Sequence, residues 1–186
     1  MKARATRSIV AAASILMLAP VAVFGQSIFV GGGVTFPTGD YGDYADTGWM
    51  GVAGVTFDLG TAGLWVGGEG FYGNNSHNAG DLTPTPQDED FGSTNLYGAM
   101  GLVGWGSGDG ESLGFYVYGG AGLLVHDFSA PEGVEGGSES KFGYEAAAGV
   151  DFPLGGSTSL WGEGRFMGAS DTTLFGIYAG LSFGIG

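Results

Sequence analysis

The final stretch of the chain, residues 174–185, alternates without a break. Its odd positions (Phe175, Ile177, Ala179, Leu181, Phe183, Ile185) carry no polar side chain, and its even positions (Leu174, Gly176, Tyr178, Gly180, Ser182, Gly184) are mostly small. Successive side chains of a β-strand point to opposite faces of the sheet. This strand therefore has one wholly apolar face and one small, uncharged face. A strand of a water-soluble sandwich would carry charge on its solvent side. Lipid on one side and a crowded barrel interior on the other account for both faces. The stretch also meets the roughly 9–11 residues that a tilted membrane-spanning strand needs.

The same alternation predicts seven further strands, at 27–36, 49–59, 64–72, 95–105, 114–126, 142–152 and 159–167. The connections alternate long and short: 37–47, 60–63, 73–93, 106–112, 127–140, 153–157 and a modest 168–172. Transmembrane barrels sort their connections in this way, with short periplasmic turns and longer external loops. An even number of strands brings both termini to the periplasmic side. The predicted fold class is all-β, an eight-stranded antiparallel up-and-down transmembrane barrel. Taking the more apolar face of each strand as outward places Phe36, Trp49, Phe57, Tyr72, Phe115, Phe142, Phe152, Phe166, Phe175 and Phe183 near strand ends, the pattern of an interfacial aromatic girdle. Strand 95–105 is apolar on both faces, so alternation does not assign its inner side.

The inner faces of the strands collect the charges Glu69, Glu145, Asp151, Glu163 and Arg165. On the lipid side an Arg or Lys costs up to about 2–4 kcal/mol at the midplane, so these residues are predicted to face the lumen. Glu69, Glu145, Glu163 and Arg165 are read as a structural charge network in which glutamates neutralise a buried arginine. Trp65, Phe71, Tyr116, Tyr118, Trp161 and Tyr178 share the inner side. An eight-stranded barrel is only just wide enough for its own side chains, so the expectation is a filled lumen with no open pore.

Composition supports the fold and narrows the partners. The 41 glycines exclude long helices, and their interleaving with aliphatic and aromatic residues excludes a disordered chain. The absence of cysteine excludes disulfides and thiolate metal sites. Lys2, Arg4 and Arg7 precede an apolar run over residues 9–24, which reads as a signal peptide (1–25) cut before Gln26, leaving a barrel domain at 26–186. The mature chain then keeps Lys141 and Arg165 against 19 acids, a net charge of −17. Such a chain repels nucleic acid.

With its eight alternating strands, the run from Tyr116 to Gly122 and Glu163-Gly164-Arg165-Phe166, the mature chain resembles the small outer-membrane barrel family of the OmpA transmembrane domain and OmpX. The resemblance implies residence in the outer membrane among lipid and lipopolysaccharide, insertion by the barrel assembly machinery, and a structural or surface-interaction role through acidic external loops. It implies no cofactor. One departure stands out: the family ends on an aromatic residue, whereas the last aromatic here is Phe183, before Gly184, Ile185 and Gly186.

Some barrels of this size modify lipid A, so an outer-membrane lipid-modifying enzyme of deacylase type is the alternative. It would need a histidine beside a serine on the lipid-facing wall. The candidates are His126 with Ser129, and His77 in a long loop, but alternation turns His126 inward. The expectation is therefore no enzyme and no catalytic residue. The acidic runs Asp40, Asp43, Asp46 and Asp88, Glu89, Asp90 lack the ligand spacing and turn glycine of a dedicated calcium loop, so they read as solvated charge without a metal site.

A five-residue turn at 153–157 would place Phe152 opposite Thr158. In that register Glu145 faces Arg165, Ala147 faces Glu163, and Gly149 faces Trp161, offering the indole a bare patch of backbone.

Overall fold

The computed structural model describes residues 25–60, 62–78, 92–107, 112–129 and 136–185. The predicted signal peptide, apart from Gly25, lies outside them. The strands are β1 (Gln26–Thr38), β2 (Gly48–Asp58), β3 (Leu64–Ser76), β4 (Ser93–Gly106), β5 (Gly114–Ser129), β6 (Gly137–Gly155), β7 (Thr158–Ala169) and β8 (Thr172–Ile185). Each pairs antiparallel with the next, and β8 pairs with β1 from Gln26↔Ile185 to Thr38↔Thr173, which closes the barrel. Closure gives every strand two neighbours, so no sheet edge is left to satisfy.

The outer wall is apolar on all sides. Val30, Trp49, Tyr72, Val103, Phe115, Phe142, Phe166 and Ile177, from all eight strands, are among its exposed large side chains. Among the described residues, the one charged side chain at an outward strand position is Asp127, near the long-loop end of β5. β4, which alternation left open, buries Thr94, Leu96, Met100 and Leu102 and exposes Tyr97, Val103 and Trp105. No helix among the described residues is long and apolar enough to cross a membrane.

Three strands run at least three residues higher than their apolar stretches predict. β3 continues through Asn74, Asn75 and Ser76; β5 reaches Ser129; and β6 begins at Gly137. The ladder there is carried by polar residues: Asn75 Nδ2 donates to Thr35 Oγ1 at 3.2 Å and to the Asp46 carbonyl at 2.8 Å. Hydropathy marks where lipid would end. Backbone pairing does not stop there.

The predicted β6–β7 register is wrong by two residues. Pro153 pairs with Ser159 and Gly155 with Thr158, with a bulge between them, so the turn is only Gly156 and Ser157. Gly155 and Gly156 take φ of 107° and 62°, a backbone region open to glycine, which lets the chain reverse this tightly. The slide places Ala147 opposite Arg165, Gly149 opposite Glu163, Asp151 opposite Trp161 and Glu145 opposite Met167. Trp161 does lie on bare backbone, but on Gly180 and Gly31 of β8 and β1 rather than on Gly149.

Candidate functional site

At mid-height the lumen is occupied by one guanidinium and three carboxylates. Strands β3 and β7 stand four apart in a ring of eight, so Glu69 and Arg165 approach from opposite walls. Arg165 is 1% exposed and opposes Ala147, whose short side chain leaves the space above it free. Arg165 reaches Glu69 Oε1 through Nη1 at 2.5 Å and Glu69 Oε2 through Nη2 at 3.0 Å, a bidentate pair. Its Nε donates to Glu163 Oε1 at 2.9 Å, Nη2 lies 2.7 Å from the same oxygen, and Nη1 meets Glu145 Oε2 at 3.3 Å. Four hydrogen bonds and one further ion-pair contact thus tie the guanidinium to three carboxylates.

The tyrosines complete the cluster. Tyr116, Gly149 and Glu163 form one row across β5, β6 and β7, and the tyrosine ring covers the glycine. Tyr116 and Tyr118 donate to the two oxygens of Glu163, each at 2.9 Å. The guanidinium carbon lies 4.9 Å from the centre of the Tyr178 ring and 5.6 Å from that of Tyr118, a cation–π contact with each. Glu145 is held least: its Oε1 is buried without a hydrogen-bond partner. The structure thus brings Glu69, Glu145, Glu163 and Arg165 into one cluster.

Above the cluster, toward the long loops, the lumen is packed with Met50, Leu96, Met100, Leu124, Met167 and Leu174, all buried. Tyr41, on a single 3₁₀ turn at Gly39–Tyr41, is 1% exposed at this end, and burial pushes its phenol up to about 12. Lys141 holds Asp171 here at 2.5 and 2.6 Å. That hydrogen bond, ahead of all other causes, keeps the Asp171 carboxyl below the usual range.

Below the cluster the expected filling is incomplete. Of the aromatics expected inside the lumen as a whole, Phe71, Tyr118, Trp161 and Tyr178 are buried, and Trp65 and Tyr116 pack against them. Yet a cavity of about 370 Å³ remains between Arg165 and the short-turn end, bordered by Phe29, Trp65, Trp161, Asp58, Asp151 and Glu163. Alternation tells which residues point inward, not how much space they leave.

The residues considered for catalysis do not converge. His126 faces inward, with Nδ1 at 3.3 Å from Thr172 Oγ1, while Ser129 is exposed on the opposite face of β5. His77 sits at an isolated bridge to Ala45, its Nε2 at 2.7 Å from Thr94 Oγ1 and its ring stacked on Phe128 at 5.0 Å. Among the described residues no three His, Asp or Glu side chains form a metal-ligating group. Asp46 Oδ1 instead accepts from Asn78 at 2.8 Å. Asp88, Glu89 and Asp90 lie outside the described residues.

No protein-family model matches the sequence, and no curated protein matches it. Solved structures do resemble it. The attachment invasion locus protein Ail of Yersinia pestis, in complex with the heparin analogue sucrose octasulfate, is 14% identical with a TM-score of 0.61, over 87% of this chain and 98% of that one. Neisserial surface protein A gives 10% identity and a TM-score of 0.58, over 86% and 96% of the two chains. The N-terminal barrel domain of OprF from Pseudomonas aeruginosa gives 13% and 0.51, over 86% and 97%. All three are small eight-stranded outer-membrane barrels, and this chain has their fold.

Proposed function

We propose that the protein is an integral outer-membrane barrel that meets partners outside the cell through an acidic rim and does not conduct solutes. On this reading, a signal peptide ending at Gly25 exports it, and both mature termini lie in the periplasm. The observation that carries the reading is the closed wall of exposed apolar side chains without charge between its rims. Apolar patches on water-soluble monomers rarely exceed a few hundred Å². A belt around a whole barrel suits lipid, with lipopolysaccharide packed against it.

Charge supplies the rest. Asp40, Asp43, Asp46, Asp127, Glu139 and Asp171 gather at the long-loop end, and Lys141 is engaged by two of them. Such a rim repels polyanions such as the heparin analogue bound to Ail, and favours a basic partner. The buried Arg165 cluster crossing the lumen supports a closed barrel.

The chain lacks cysteine, so single-cysteine variants report sidedness directly. A membrane-impermeant maleimide added to intact cells labels Asp43→Cys and spares Ser112→Cys until the outer membrane is opened. Surface-exposed cells bind a basic peptide such as oligolysine, and Asp40→Asn with Asp43→Asn and Asp46→Asn weakens that binding. Labelling of Ser112→Cys alone on intact cells inverts the topology, and unchanged peptide binding removes the rim from the function.

A further inference from the structure

The lower cavity has the construction of a binding site, and it opens at the end opposite the acidic rim. Its mouth is formed by Ser27, Gly63, Ser107 and Gly114, at the start of β1 and beside the β2–β3 and β4–β5 turns. Its depth is closed by Arg165 and Glu163. At about 370 Å³ it falls within the roughly 300–1,000 Å³ range of small-molecule sites.

Two independent features of the wall define what fits. The first is charge: Asp58, Asp151 and Glu163 border the space, and its one basic residue, Arg165, is hydrogen-bonded to Glu69, Glu145 and Glu163. The net field in the cavity is negative, and low-dielectric walls concentrate it. The second is the aromatic lining. Trp161 stands edge-to-face with Phe29 at 6.2 Å between ring centres, and Trp65 is 5.6 Å from Tyr118. Trp161 itself is only 6% exposed.

We propose that this cavity binds a small organic ammonium ion that enters from the short-turn end, its charge facing Asp151 and Glu163 and its apolar body against Trp65, Trp161 and Phe29. An ammonium ion gains from both the carboxylates and the faces of the aromatic rings. An anion of the same shape is repelled, and a neutral molecule loses the charge contribution.

The four tryptophans make the test direct. Trp49 and Trp105 are exposed on the outer wall, whereas Trp65 and Trp161 border the cavity. The refolded mature chain, ¹⁵N-labelled at tryptophan in zwitterionic micelles, is titrated with 2-phenylethylammonium, 2-phenylethanol and phenylacetate. The Trp65 and Trp161 indole signals, assigned through Trp→Phe variants, shift saturably with the ammonium compound, while those of Trp49 and Trp105 stay in place. The alcohol and the carboxylate bind at least about fivefold more weakly, and Asp151→Asn weakens the ammonium compound by a similar factor. Asp151 is only partly buried, and retained heat-modifiable gel migration confirms that the variant folds. Equal shifts at all four indoles, equal affinity for the three compounds, an unchanged affinity in folded Asp151→Asn, or no shift at all overturns the proposal.

Discussion

Beyond the predicted leader the chain has two basic residues, Arg165 and Lys141, and the barrel treats them in opposite ways. Arg165 is buried at the centre of the lumen, shared among Glu69, Glu145 and Glu163 and flanked by two tyrosine rings. Lys141 lies near the long-loop rim, and its partners Asp171 and Glu139 are 63% and 71% exposed. Both are short ion pairs, but solvent makes them different. At the rim, water and salt compete with the contact, so an exposed pair contributes about 0–1 kcal/mol. In the cluster, side chains only 0–3% exposed keep water off the charges, and every charge depends on the others being in place. Distance alone would rank the two sites as equals.

The largest effect tests that contrast head on. Arg165→Ala leaves three glutamates facing one another without a counter-charge, and removing one partner of a buried pair costs about 3–5 kcal/mol. The urea midpoint of Arg165→Ala in lipid vesicles should fall far below that of Lys141→Ala. Equal midpoints would mean that the lumen cluster is as well solvated as the rim.

A smaller effect separates the glutamates. Glu69 uses both oxygens on Arg165, whereas Glu145 offers one long contact and keeps Oε1 unpartnered. Glu69→Gln breaks a bidentate charged pair and should destabilise by about 1.5–3 kcal/mol. Glu145→Gln keeps the shape of the least engaged side chain and should lie within about 0.5 kcal/mol of the parent or above it. If Glu145→Gln proves the more damaging, the hydrogen-bond geometry misranks the partners.

These differences also show what the sequence displays and what it hides. Alternation alone turns Glu69, Glu145, Glu163 and Arg165 inward, because parity along each strand is insensitive to register. Their meeting at one height depends on stagger between strands, and stagger turns on details as small as the Pro153–Gly155 bulge. Pro153 reads as a strand end, since proline has no N–H for the ladder. It remains paired because the bulge beside it absorbs the irregularity. The bulge is why the observed β6–β7 register departs from a five-residue turn. The Lys141–Asp171 pair is hidden differently: Lys141 sits at the edge of the predicted loop 127–140, which β6 turns into a polar strand extension. The inner face of β4 does not show in a sequence apolar on both faces, and its neighbours in the ladder decide it.

The smallest effect belongs to the rim and follows from acid–base linkage. The Lys141 hydrogen bond holds the Asp171 carboxyl below its ordinary value in the folded barrel. A carboxyl with a depressed folded pKa stabilises the fold above its unfolded value, near about 3.9, and that stability is lost as the pH falls through the folded value. Lys141→Ala removes the cause of the depression. Wild type should therefore exceed Lys141→Ala by at most about 1 kcal/mol at pH 7. The gap should narrow as the pH drops below about 4 and close once Asp171 is protonated in both proteins. Raising salt at pH 7 should shrink it as well, because the pair is exposed. Urea midpoints of the two proteins at pH 7, pH 4 and pH 2.5, each at low and high salt, measure it. A gap that widens in acid would show that Lys141 stabilises the rim through something other than Asp171 and its neighbour Glu139. A gap insensitive to salt would place the pair out of reach of solvent, and the distinction between rim and lumen would then no longer rest on water.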